Sequence, residues 1–271
     1  MTARRGSRWG LRFLGLGYLT LLLLIPLVMI FYKTFEEGIG PPIDAITTPD
    51  GLHALKLSVL MVVIAVPLNT IFGVGCALLL VRHKSKLNPV IDAIINLPFA
   101  VSPVVIGLSL YLLYGTDGWF AFIGEEGFKI LFAVPGMVLA SIFVSLPFVV
   151  RETVPVLQEI GTEQEQAAST LGASNWQTFW RVTLPAIKWG VAYGVVLTTA
   201  RVLGEFGAVT IVSGSISGET ETLPLFVAKS FEQFDEQGAY AGAIVLAMLA
   251  LTTLLLMSVG GRKAKATKEA P

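Results

Sequence analysis

The chain has 271 residues, 54% of them hydrophobic and only 14% charged, with 19 Lys and Arg matched by 19 Asp and Glu. A water-soluble domain of this size needs more charge to cover its surface, so the composition excludes that class and points to a membrane. Membrane lipid is therefore an expected partner and nucleic acid is not.

A spanning helix needs roughly 20 mostly apolar residues. Six stretches qualify, at about 12–32, 55–80, 91–114, 130–150, 187–208 and 238–259. The expectation is an all-α integral membrane protein with six transmembrane helices in a single domain over 1–271. The first stretch follows Arg4, Arg5, Arg8 and Arg12, as in a signal peptide. It runs on to Tyr32 with no small-residue cleavage site after it, so it reads as a retained helix. Cys76, the single cysteine, lies in the second stretch; it can build no disulfide or cysteine metal site and reads as a small packing residue. His53 and His83 lie near span ends and read as interfacial polar residues, not ligands. No metal site is expected. Prolines punctuate the spans at Pro26, Pro67, Pro98, Pro103, Pro135 and Pro147. Most read as kinks that membrane helices tolerate; the closely spaced Pro98 and Pro103 are candidates for shaping a pathway.

Six spans put both termini on one side, with the loops near 81–90 and 151–186. That side holds 14 of the 19 basic residues, including Arg82, Lys84, Lys86, Arg151, Arg181 and the cluster from Arg262 to Lys268. The other side holds Lys33, Lys56, Lys129 and Lys229, and most of the acids, among them Asp50, Glu125, Glu126 and Glu219. The bias in Lys and Arg places both termini in the cytoplasm.

The loop 151–186 is the longest cytoplasmic connection. Within it, "TEQEQAASTL" is rich in helix formers, with Thr162 as a cap and acids in the first turn. Gly172 is a left-handed stop, and Ser174 with Gln177 fits the capping box of a second short helix. Trp176, Phe179, Trp180 and Thr183 recur at helical spacing as one apolar-aromatic face, and Pro185 ends the segment. Such a pair suits either the membrane surface or a docking partner. The small Ala167, Ala168 and Gly172 favour the partner.

"AASTLGASNWQTFWRVTLP" (167–185) places Ala167, Ala168, Gly172, Val182, Leu184 and Pro185 at the spacing of the EAA loop, and it resembles that loop of bacterial ABC-transporter permeases. Gln166 stands at the family's glutamate position, with Glu165 beside it, and Val182 replaces its usual isoleucine. The resemblance extends to "NLPFAVSPVVIGL" (96–108), "PGMVLASIFVSLPFVVRETVPVL" (135–157) and "ARVLGEFGAVTIVSGSISGETETLPL" (200–225), which look like the CysW-type permeases of sulfate and thiosulfate importers. It implies a type I importer fold with a molybdate/methionine-permease-like core in the bacterial inner membrane. It implies that Glu165, Gln166, Ala167, Ala168, Gly172, Leu184 and Pro185 form a coupling loop that sits in a groove of an ATPase. The partners it implies are a CysT-type permease as heterodimer partner, two copies of a CysA-type ATPase, and a periplasmic sulfate/thiosulfate-binding protein.

The stretch 198–221 carries the second candidate site. Arg201 falls within or at the outer edge of the fifth span, where a charge costs at least ~2.5 kcal/mol and usually serves function. Glu205 stands at i+4 and suits an ion pair. Gly204, Gly207, Gly214 and Gly218 point to an interrupted helix and a re-entrant or loop segment, tolerated where protein buries it or water lines it. Hydroxyls of Ser213 and Ser215 suit an oxyanion. By resemblance, this region belongs to the outer gate near the translocation path.

No G-x-x-x-x-G-K-[ST] phosphate loop and no nucleophile with a placed base are present, so catalytic residues are not assigned. The chain is read as a non-catalytic permease without a cofactor, with ATP–Mg bound by the partner ATPase. The alternatives are a permease for molybdate or tungstate, an integral-membrane enzyme, which lacks a polar catalytic cluster, and an ATPase anchor, which would not need Arg201.

Overall fold

The computed structural model describes residues 5–83, 85–125 and 129–268. Arg4, Lys84 and Glu126, which contribute to the charge asymmetry, lie outside the described residues. The fold is all-helical over these residues. Helix α1 (Arg5–Leu19) passes through a wide π turn (Thr20–Leu24) into α2 (Ile25–Phe35). After the short α3 (Gly40–Thr47) come α4 (Pro49–Arg82), α5 (Asn88–Ala100), α6 (Pro103–Tyr114), α7 (Ala121–Glu125) and α8 (Val134–Ile160). Next are α9 (Glu163–Thr170), α10 (Asn175–Thr178), a second π turn (Phe179–Thr183) and α11 (Leu184–Leu203). The chain ends with α12 (Gly207–Ser213), α13 (Leu223–Glu232) and α14 (Glu236–Lys268).

Among the described residues, five helical runs are long and apolar enough to cross a membrane: Arg12–Phe35, Pro49–Arg82, Val134–Ile160, Asn175–Leu203 and Glu236–Leu255. The sixth candidate is the pair α5 and α6, bent by 109°. The third span is thus not the continuous helix expected over 91–114. Pro103 lacks an amide hydrogen and pushes Ser102 out of helical geometry, and Val101 and Ser102 are extended with ψ of 135° and 136°.

Three other boundaries differ from expectation. The helical run of the fifth span begins at Asn175 and not at 187, because Pro185 stands in the first turn of α11, where it is tolerated, and does not end the helix before it. The fourth span continues as helix to Ile160, so residues 151–160 belong to α8 and not to a loop. Arg151 makes the apolar run look finished, but its Nε donates to Asn96 Oδ1 at 2.8 Å and its guanidinium lies over the Phe99 ring at 5.1 Å. The helix therefore carries the charge against α5. The fifth span ends at Leu203, not at 208.

The end of the bundle that carries residues 161–183 is called basal here and the opposite end distal. Helices α4, α8 and α11 pack together at its centre. Leu57, Met61, Met137, Val144, Val202 and Val209 belong to a distal apolar cluster, while Val74, Val149, Val150, Leu157 and Ile187 belong to a basal one. At an intermediate level lies a buried polar contact, in which Asn69 Nδ2 donates to Ser145 Oγ at 2.6 Å. Small residues permit the close approach that membrane helices rely on. A Cβ at Gly73 would lie 2.6 Å from Val149 Cβ, and one at Gly194 would lie 2.8 Å from Val149 Cα. Gly194→Leu is therefore expected to lower the yield of folded protein in membranes by forcing α11 off α8, where overpacking costs ~1–3 kcal/mol or more. Gly75→Ala, with nothing within 4 Å of its added Cβ, is the matched control, and equal yields of the two in detergent-extracted membranes would contradict the packing account.

Candidate functional site

Two sites emerge, one at the basal end and one at the bend of the third span. At the basal end, α9 begins at Thr162, whose hydroxyl accepts from Gln166 Nε2 at 3.0 Å and not from a backbone amide. Gly172 ends α9 with φ +84°. The amide of Gly172 donates to the Ser169 carbonyl at 3.0 Å and that of Ala173 to the Ala168 carbonyl at 3.1 Å, the paired bonds of a Schellman stop. Ser174 then starts α10 with a complete capping box: Gln177 N donates to Ser174 Oγ, and Ser174 N to Gln177 Oε1.

The aromatic face expected over 176–183 is split. Trp176 and Trp180 are exposed, as is Leu171 at 88%, whereas Phe179 is half-buried against the basal cluster and Thr183 is buried. The π turn at Phe179–Thr183 is wider than 3.6 residues per turn, so positions spaced for one α-helical face diverge across it. Ala167 and Gly172 are exposed and Ala168 is half-buried. Leu184 and Pro185 open α11. Glu165 points the other way. Its carboxylate lies against Arg82 (Nε–Oε2 2.9 Å) and accepts from Thr183 Oγ1 at 2.8 Å. Arg82 escaped sequence reasoning because it read as one more basic loop residue, and its acceptors lie about 80 positions away.

At the second site, Arg201 Nη1 pairs with Glu205 Oε2 at 2.7 Å. Glu205 lies beyond the end of α11, yet its side chain is only 2% exposed. Its Oε1 also accepts from Ala208 N at 2.8 Å, in the first turn of α12. Arg201 lines a cavity of about 410 Å³ with Pro98, Phe99, Ser102, Pro103, Val144 and Phe148. The proline-flanked bend and the intramembrane cation therefore meet. Val144 lies ten residues after Val134 and sixteen before Ile160, or about 15 and 24 Å along α8 at 1.5 Å per residue, so the cavity sits well within the span.

Gly207 permits that meeting, since a Cβ there would come within 3.2 Å of Pro103 Cβ. Gly204 follows the last turn of α11, its amide bonded to the Ala200 carbonyl at 3.1 Å. Ser213 and Ser215 do not line the cavity. Ser213 is buried, its hydroxyl accepts from Ser215 N at 3.1 Å, and its carbonyl accepts from Thr220 Oγ1 at 2.6 Å. Both shape the turn after α12, where Ser215 has φ +52°.

Residues 69–262 match the family described as the binding-protein-dependent transport system inner membrane component. The chain belongs to that family. Both sites fall within the matched segment, whereas the first span precedes it. Over 247 residues the chain is 50% identical to the sulfate transport system permease protein CysW of Synechocystis sp., covering 91% of this chain and 90% of the relative. It is 38% identical over 251 residues to the sulfate transport system permease protein CysT of Synechococcus elongatus, with 92% and 90% covered. The fold resembles a chain of a bacterial alginate ABC transporter crystallised in complex with an alginate pentasaccharide-bound periplasmic protein, with a TM-score of 0.80 over 96% of both chains and 17% identity. That likeness concerns the fold. As an inner membrane component, the chain is a multi-pass membrane protein, and its relatives are permease subunits.

Proposed function

We infer that this chain is the CysW-type membrane subunit of an ATP-driven importer that carries sulfate and thiosulfate across the inner membrane. The observation that carries the reading is the 50% identity to a CysW sulfate permease over nine-tenths of both chains, against 38% to a CysT permease. That difference favours the CysW-type half of a pair, with a CysT-type subunit as the other half. The chain has no phosphate loop, so the energy for uphill transport comes from ATP–Mg hydrolysis in two CysA-type subunits. The exposed surface of Leu171, Gly172, Trp176 and Trp180 is where one of them docks. A periplasmic sulfate- and thiosulfate-binding protein delivers the anion to the distal face.

The cavity at the bend fits passage of a dianion. An anion crossing hydrocarbon needs donors and a wet path, but a site that holds it tightly would not release it. Arg201 supplies planar donors whose charge is offset by Glu205 at 2.7 Å, which suits weak, transient contact. High-affinity selection then rests with the binding protein.

Purification of the tagged chain from its host tests the reading. One ATPase and a second permease are expected to co-purify, and the reconstituted complex is expected to take up labelled sulfate when ATP and the binding protein are supplied. Recovery of the chain alone would overturn it. Orientation is tested separately: a reporter fused after Lys268 should behave as cytoplasmic and one inserted at Glu125 as periplasmic. A cytoplasmic result at Glu125 would contradict the orientation.

A further inference from the structure

Arg82 closes α4 at the basal end with both terminal guanidinium nitrogens hydrogen-bonded and its Nε at ion-pair distance from Glu165. Nε and Nη2 lie 2.9 and 3.1 Å from the two oxygens of Glu165, Nη2 also donates to the Gly161 carbonyl at 2.7 Å, and Nη1 donates to the Leu157 carbonyl at 3.2 Å. One side chain thus ties the end of α4 to the last turn of α8 and the first turn of α9. Glu165 extends the link through Thr183, on the π turn that leads into α11. The two charged side chains are 15% and 21% exposed, so water screens them little. Between α4 and the loop lies a cavity of about 830 Å³, bordered by Gly75, Leu79, Gln166 and Phe179 as well as by the ion pair. Apolar packing does not close this gap, and the Arg82–Glu165 pair spans it.

The other end of α4 meets the segment 214–222 and the first residue of α13. Leu223 N donates to Ser58 Oγ at 2.8 Å, and His53 Nε2 lies 3.1 Å from the Glu219 carbonyl. Helix α4 has 34 residues, about 50 Å at 1.5 Å per residue, and its middle is packed against α8 and α11. Pro67 interrupts its backbone ladder near the middle, but the packing of that middle against α8 and α11 supports it there, and close-packed interiors transmit strain.

We propose that Arg82 and Glu165 are positioning residues for energy coupling: their ion pair passes a displacement of the loop 163–183 to α4 and along it to the segment 214–222. This rests on the loop being the ATPase-docking element proposed above. Arginine suits the task because its planar fork can serve a carboxylate and two carbonyls together, which a lysine ammonium cannot do in the same geometry.

The test uses the full complex in vesicles and reads three quantities: ATPase retained on the tagged chain, ATP hydrolysis with and without the binding protein, and labelled sulfate moved per ATP. The variants are Glu165→Gln, Arg82→Lys and Thr183→Val, which keep the local shape. Retention of the ATPase is expected to stay within about twofold of wild type, while sulfate per ATP falls at least about tenfold for Glu165→Gln and Arg82→Lys and less for Thr183→Val. Stimulation of hydrolysis by the binding protein is expected to fall with it. If the pair only holds the loop in shape, ATPase retention and uptake will fall together while sulfate per ATP stays at the wild-type value. That outcome, or wild-type values throughout, overturns the proposal. A wild-type chain that retains no ATPase removes the docking reading and the proposal with it. A wild-type complex that hydrolyses ATP but moves no sulfate removes the cargo assignment alone, and the stimulation ratio then decides the role of Arg82.

Discussion

Arg201→Ala is expected to abolish labelled-sulfate uptake and to reduce the amount of assembled complex at the same time. The substitution leaves Glu205, whose side chain is 2% exposed, as an unpaired buried carboxylate, and breaking a buried pair in this way costs roughly 3–5 kcal/mol. The single variant therefore cannot separate a role in transport from a role in stability. The structure supplies a cleaner companion. Glu205→Gln removes the charge but keeps a side-chain oxygen for Ala208 N, the contact that starts α12. The double variant Arg201→Ala/Glu205→Gln is expected to restore assembly, yet to leave uptake per complex at least about tenfold below wild type, a barrier change of ~1.4 kcal/mol or more. Arg201→Lys keeps the cation and loses the fork, so it should retain partial uptake. Full uptake by the double variant would mean that Arg201 serves only to pair Glu205.

Gly172→Val is expected to leave membrane insertion intact while cutting the amount of ATPase that co-purifies at least about tenfold, or ~1.4 kcal/mol. The space around the glycine is open, with nothing of this chain within 4 Å of an added Cβ. The penalty comes instead from φ +84°, a region that a β-branched residue enters only at a cost of ~1–3 kcal/mol. The Schellman bonds to Ser169 and Ala168 would loosen, and the turn between α9 and α10 would change shape. Gly172→Asn, which tolerates left-handed backbone better, is expected to lose much less. Equal ATPase retention in Gly172→Val and wild type would count against docking at this turn.

Much of this was legible in the sequence because local chemistry fixes it. A left-handed glycine and a Ser-x-x-Gln box are recognisable wherever they occur, and the turn at 172–174 adopts the form they dictate, whereas the Leu-Pro expected to end the segment lies inside a helical run from Asn175 to Leu203. The Arg201–Glu205 pair was legible for the same reason, being four residues apart. What stayed hidden depends on distant residues. Arg151 looked like the end of a span because its partners, Asn96 and Phe99, lie on another helix. Arg82 looked solvated because Glu165, Gly161 and Leu157 reach it only after α4 and α8 have packed. The bend of the third span was signalled by Pro98 and Pro103, but its 109° size and the close approach of α12 to Pro103 at Gly207 involve residues about a hundred positions apart. Ser213 and Ser215 show the converse: the Ser213 hydroxyl, which suits an oxyanion by its type, accepts from the Ser215 amide and closes the chain's own turn.

The basal loop has two sides with separate duties. Glu165 and Thr183 face the bundle, while Leu171, Gly172, Trp176 and Trp180 face away from it. The outward face at Leu171 and Gly172 can therefore vary without touching Glu165 and Thr183, whereas Ser169, Thr170 and Asn175 border the inner cavity and belong with the anchorage. Under the docking proposed above, substitutions on that outward face are expected to change which ATPase binds while leaving the membrane core and the cavity at Arg201 as they are.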